Sequence, residues 1–298
     1  MMTSEDQSDY IEQVVDRCQK LIRIGIWDGI QESRLVGWLG CLRNCDADLL
    51  GAYLLDNLAF RSRDQYASLL DSVFYERPLS FQAKDIHLLD VLKRKPSDIP
   101  DMKIRVAPVI GHSAPPTKSG PYILRLAQRR YRIHNDWLAW PHALGKMSWL
   151  SNIFFVDDFC GTGNQFIEFL AEIDIQQILK ANPGVRITYL VTTVHNDGLL
   201  RIQREYADVN IVWGERLHSI NSVLSSEAFA RYRVSGFSDL IERQYQAALK
   251  YTGLPTKGRI SDGFGSLGLA YGFSHATPNN TLPIFWMSTP KLTALLDR

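Results

Sequence analysis

The residue types best suited to chemistry fall in one stretch, Phe154 to Phe166, which reads FFVDDFCGTGNQF. A hydrophobic run ends in two adjacent carboxylates, Asp157 and Asp158, and a loop of small residues follows. The apolar periodicity of IEFLAEI then predicts a helix. Glycines at 161 and 163 let backbone N–H groups converge on an anion, and a helix beginning near Asn164 adds its positive dipole end. Carboxylates just ahead of such a loop cannot favour the phosphate itself. They are good acceptors for vicinal hydroxyls one sugar ring away, so the ligand implied is a ribose phosphate. Two plainer readings compete: the carboxylates simply end a buried strand, or they belong to the acidic strand of a P-loop NTPase. The latter needs G-x-x-x-x-G-K-[ST] upstream, and the nearest stretch, GHSAPPTKS from Gly111, has Pro116 and Thr117 where the second glycine should fall.

Two further segments carry polar groups in suggestive places. In IRVAPVIGHSAPPTKSG, Ile104 to Gly120, a strand pattern runs into a proline-rich loop that ends Lys-Ser-Gly before the helical pattern YILRLAQRRY. Lys118 offers a mobile charge, and Ser119 with the Gly120 backbone offers neutral donors, a set that suits a diphosphate. The alternative is a solvent loop capping a helix. In HATPNNTLPIFW, His275 to Trp286, Asn and Thr side chains either lock a turn through its backbone or enter a site. Arg125, Arg129, Arg130 and Arg132 read first as a solvated helix face, with Arg129 or Arg130 as candidates to reach a phosphate.

The order of hydrophobic strand, two acidic residues, short variable step and Thr-Gly resembles the phosphoribosyl diphosphate (PRPP) signature of type I phosphoribosyltransferases. Together, DDF-x-G-[TS]-G and TPNNTLP-x-x-W resemble a group of phosphoribosyltransferase-like proteins associated with bacterial conflict systems, including retron-type anti-phage cassettes. The resemblance runs from about Lys103 to Ser288. It implies that Asp157 and Asp158 contact the ribose 2′- and 3′-hydroxyls, and that Gly161, Thr162, Gly163, Asn164 and Gln165 wrap the 5-phosphate. It implies that Lys118, Ser119 and Gly120 grip the leaving pyrophosphate, and that Asn279, Asn280 and Trp286 border a base or nucleotide pocket. Gln165 departs from the family, which usually has a Thr or Ser hydroxyl there. The implied activity is transfer or removal of a phosphoribosyl group on PRPP or a nucleotide, in an anti-phage effector. Mg²⁺ is expected to arrive on the ligand's diphosphate. The alternative from a different class is a module of the same fold that senses a nucleotide or docks in a complex without catalysis.

These residues need elements to position them. Short Val/Ile-rich runs at Ile104–Ile110, Asn152–Val156, Val185–Val194 and Val209–Trp213 alternate with helical segments, which predicts βαβ units and a mainly parallel sheet flanked by helices. LGLAYGF (Leu267 to Phe273) and LPIFWM (Leu282 to Met287) are read as closing strands. From Tyr10 to about Lys95 apolar residues recur at helical spacing, with Asp46, Ser62 and Ser80 as helix starts. The run KRKPSDIPD, Lys93 to Asp101, reads as a boundary, giving a helical region 1–100 and a phosphoribosyltransferase-like α/β domain 101–298. The helical region is expected to bind partner proteins. A winged-helix-like nucleic-acid module is the weaker reading, since no basic recognition helix stands out.

Composition sets the outer bounds. With 298 residues, 45% hydrophobic, 22% charged and a formal net charge of +1, the chain is ordinary for a globular protein, and nothing demands a polyanionic partner. The acidic, polar start MMTSEDQSDY and the lack of any run near the roughly 20 apolar residues of a membrane span predict a cytoplasmic protein. Cys18, Cys41, Cys45 and Cys160 form no C-x-x-C pair and are expected as reduced thiols, with Cys41 and Cys45 in a core. The histidines at 112, 134, 142, 195, 218 and 275 show no H-x-x-x-H or H-E-x-x-H spacing, so no protein-built metal cage is expected.

Overall fold

The structure, a computed structural model, describes residues 4–75, 87–115, 118–231 and 237–298. The first helix, α1 (Ser4–Arg23), has Glu5 and Asp6 in its first turn and Lys20 and Arg23 in its last, matching the helix dipole. It buries Val14 and Cys18. Leu35, Trp38 and Leu42 line the buried side of α2 (Glu32–Arg43), and α3 (Asp48–Asp56) is buried along most of its length. The latter starts two residues beyond the expected Asp46, which itself takes left-handed backbone at φ 54°. Strand β1 (Ala59–Arg61) interrupts the helical region. At α4 (Arg63–Phe74), Ser62 behaves as expected: its Oγ accepts from Gln65 N at 3.2 Å while Gln65 Oε1 accepts from Ser62 N at 3.0 Å. Ser80 lies outside the described residues. A short helix, α5 (Leu88–Leu92), precedes the boundary run.

The α/β alternation then begins. It runs β2 (Ile104–Pro108), α6 (Ser119–Tyr131), α7 (Pro141–Leu144), β3 (Asn152–Cys160), α8 (Asn164–Glu172), α9 (Ile175–Ala181), β4 (Arg186–His195), α10 (Asn196–Glu205) and β5 (Val209–Leu217). The four strands pair in the order β2-β3-β4-β5, all parallel, with Phe154 opposite Val106 and Thr188, and Tyr189 opposite Phe155 and Ile211. Ile153, Phe155, Ile187, Tyr189 and Val191 gather with Phe166, Phe169 and Leu170 of α8 and Leu199 and Ile202 of α10 in one buried cluster. Each such side chain is worth about 1.5–3 kcal/mol when fully buried. Helix α6 packs on β2 and β3.

The remaining elements are α11 (Ser226–Arg231), α12 (Ser238–Thr252), β6 (Tyr271–Phe273) and α13 (Pro283–Trp286). Two of the expected strands come out differently. Only Tyr271–Phe273 of LGLAYGF forms a strand, and it pairs in parallel with β1 rather than with the four-stranded sheet. LPIFWM is helical at its centre, because Pro283 occupies the first helical turn, where its missing N–H costs nothing.

By compaction the chain divides into two units, one from Met1–Tyr66 with His218–Arg298 and one from Ala67–Leu217. The first three helices close on the carboxyl-terminal segment: the Trp38 indole donates to Ile284 O at 2.8 Å and stacks on Phe285, and Tyr53 donates to Val223 O at 2.6 Å. No described helix is long and apolar enough to cross a membrane. All four cysteines are free thiols, and Cys41 is buried in the core.

Candidate functional site

The two adjacent carboxylates stand near the carboxyl end of β3, close enough to affect one another. Asp157 follows Ile153 and Phe155 toward the cluster beneath α8 and is 2% exposed. Its Oδ1 accepts the Asp158 N–H at 3.1 Å and its Oδ2 accepts the Tyr189 hydroxyl at 3.1 Å. Burial first, and the neighbouring Asp158 carboxylate second, push the Asp157 carboxyl well above the usual aspartate range. The Asp158 Oδ1 accepts the Ser119 hydroxyl at 2.8 Å, and its carbonyl accepts the Thr192 hydroxyl.

The loop beyond the carboxylates leads straight into a helix, as expected. Gly163 caps α8 in left-handed backbone at φ 79°, a conformation that excludes most side chains. Asn164, Gln165 and Phe166 open the helix, so their N–H groups have no intrahelical acceptor. The Cys160 thiol lies buried just ahead of this loop. Burial pushes that thiol up to about 12. Lys118 and Ser119 stand at the start of α6, and Lys118 Nζ donates to Gln165 Oε1 at 3.4 Å. Gly120 lies so near β2 that a Cβ there would sit 2.6 Å from the Val109 carbonyl oxygen. Lys118, Ser119, Gly120, Asp157, Asp158 and residues 161–165 are therefore brought together at the carboxyl ends of β2 and β3, where ligands bind in open parallel sheets.

Four residues that sequence reasoning passed over hold this arrangement. Gly198 of α10 lies against the loop: a Cβ would meet the Gly161 carbonyl oxygen and come within 2.9 Å of Gly163 N. Arg201, one turn on, donates to Asn164 Oδ1 and to Glu205 Oε1. Glu172 Oε1 accepts the Ser113 N–H at 3.1 Å, tying the end of α8 to the loop after β2. Tyr189 of β4 touches Asp157 ahead of the loop and Phe166 after it. Only Gly198 had a legible signal, a glycine at the start of a helical pattern; Arg201 and Glu172 look like solvated helix faces.

The other expected residues lie in the unit formed by Met1–Tyr66 and His218–Arg298. Asn280 is 4% exposed and its Nδ2 donates to Phe264 O at 2.7 Å. The Asn279 carbonyl accepts from Phe264 N at 2.8 Å, and the Trp286 indole donates to Thr281 O at 2.9 Å beneath the Arg298 guanidinium. The first two bonds tie the segment to the turn at Phe264, and the last stays within it. Of the α6 arginines, Arg130 is held by Asp71, with its Nε 2.8 Å from Oδ1.

A four-stranded parallel sheet with a helix-opening glycine loop after one strand and a Lys-Ser-Gly loop after its neighbour defines a phosphoribosyltransferase-like α/β protein. The chain belongs to the PRTase-CE family, whose model matches residues 37–298. No curated protein matches it.

Proposed function

We propose that the chain acts on PRPP or a nucleotide and transfers or removes its phosphoribosyl group. The observation that carries this reading is the meeting of two loops 39 residues apart: Ser119 Oγ lies 2.8 Å from Asp158 Oδ1. Sugar hydroxyls would go to Asp158, the 5-phosphate to the amides of Thr162, Asn164 and Gln165, and the diphosphate to Lys118, Ser119 and the Gly120 backbone. As the C1–O bond lengthens toward an oxocarbenium-like state, Lys118 balances charge building on the leaving group while Asp158 holds the ring. Mg²⁺ would be borne mainly by the ligand's diphosphate oxygens and water. Bound there, it would neutralise diphosphate charge.

The paired motifs DDF-x-G-[TS]-G and TPNNTLP-x-x-W support a role as an effector in anti-phage defence. Partner contact through the amino-terminal helices is supported by Ile24, Ile26 and Val36, which are 70%, 40% and 55% exposed and precede the family match.

The test mixes purified protein, Mg²⁺, PRPP and a nucleotide pool and identifies products by mass spectrometry. Release of free base or pyrophosphate is expected, with Asp158→Asn lowering it at least ~100-fold at unchanged melting temperature. Undiminished turnover in D158N overturns the assignment. Thermal stabilisation by PRPP without any product favours a nucleotide-sensing module instead.

A further inference from the structure

Strand β4 sends Tyr189 beneath the loop, where it is 1% exposed. Its hydroxyl donates to Asp157 Oδ2 at 3.1 Å, and its ring lies nearly parallel on Phe166, with centroids 3.8 Å apart and planes 9° apart. Asp157 in turn accepts the Asp158 N–H, and Phe166 is the third residue of α8. One side chain thus touches both the strand end and the helix start between which Gly161, Thr162 and Gly163 are strung. A phenylalanine would fill this apolar space without the cost of burying a hydroxyl, so the hydroxyl's place is explained by its bond.

We propose that Tyr189 is a positioning residue: through Asp157 it fixes the backbone of Asp158, and through Phe166 the first turn of α8, so that carboxylate and loop amides meet a ribose phosphate in one preformed geometry. The ligand half rests on the function proposed above. The titratable groups facing Asp157 are Asp158 and Cys160 of its own strand and Tyr189 of β4. Burial and Asp158 push the Asp157 carboxyl up, while the Tyr189 hydroxyl pulls it down by bonding the ionised form.

Tyr189→Phe keeps the ring and removes the hydroxyl. In the ligand-free protein, carboxyl carbon NMR should place the Asp157 titration at higher pH in Y189F than in the wild type. By calorimetry, affinity for Mg²⁺-PRPP should fall about tenfold at a melting temperature close to that of the wild type. Asp157→Ala should weaken binding as well, and the Y189F/D157A double variant should bind no more weakly than D157A alone, because the hydroxyl acts through that carboxyl. Equal PRPP affinity in wild type and Y189F overturns the inference, as does additivity in the double variant. If the wild type binds neither PRPP nor a nucleotide, the proposed function fails and the titration decides here: an upward move supports the positioning role of Tyr189 and an unmoved one refutes it.

Discussion

At the scale of single residues, adjacent carboxylates of the same type have divided their work. The sequence made Asp157 and Asp158 look equivalent, yet Asp157 bonds the Tyr189 hydroxyl and Asp158 bonds the Ser119 hydroxyl. Burial gives Asp157 a folded-state titration above that of an exposed aspartate. The stability tied to its proton is therefore complete below the ordinary aspartate range and lost as pH rises through the raised value. Asp157→Asn should match the wild type near pH 4 and melt higher at pH 7 to 8, by about 2–4 °C. Melts across that range check this, and a pH-independent difference contradicts it. The loop backbone makes an equally sharp demand, since a side chain at Gly198 would press on the Gly161 carbonyl and the Gly163 nitrogen. Gly198→Ala should cost about 2 kcal/mol or more in urea unfolding and remove PRPP binding, because the loop must open to admit the methyl group.

At the scale of elements, α6 links the site to the rest of its unit: Ser119 at one end meets Asp158, and Tyr131 and Arg130 at the other meet Asp71 of α4. The Asp71 carboxyl lies below the usual aspartate range, chiefly through its bond to Arg130. Its contribution is present above that range and lost as pH falls through the lowered value. These side chains are partly exposed, so Asp71→Ala should cost only about 1 kcal/mol at pH 7, with the gap to the wild type narrowing in urea titrations below about pH 4. The elements also mark what the sequence could convey. The Val/Ile runs at 104–110, 152–156, 185–194 and 209–213 each mark the start of a strand of the parallel sheet to within two residues, because buried parallel strands need continuous apolar runs. LPIFWM misled, since six apolar residues fit a strand or a helix turn equally and Pro283 decides the matter. Ala-Phe-Arg at 59–61 gave no signal at all, since its sheet partner, Tyr271–Phe273, lies more than two hundred residues away. The carboxylates and their glycine loop were legible because chemistry and spacing coincide in one short segment. Tyr189 was not, because its meaning depends on a register between strands.

At the scale of the molecule, the two units differ in how far the chain must travel to close them. The unit 67–217 is continuous, and each of its strands pairs with the next one along that stretch of sequence. The other unit joins 1–66 to 218–298, with Ala59 opposite Tyr271, so its closure brings together residues more than two hundred apart. Closing long loops costs entropy before any contact repays it, and distant pairings slow folding. Each unit carries a natural reporter. Cys160 is buried in the α/β unit and Cys18 in the other, and burial holds both thiols at about 12, so the folded chain should resist alkylation at neutral pH twice over, by inaccessibility and by lack of thiolate. During refolding from denaturant, with short pulses of a maleimide and peptide mapping, Cys160 should regain protection before Cys18. Simultaneous protection would mean that the units fold as one cooperative body, and the reverse order would mean that the discontinuous unit closes first and that chain connectivity does not govern folding here.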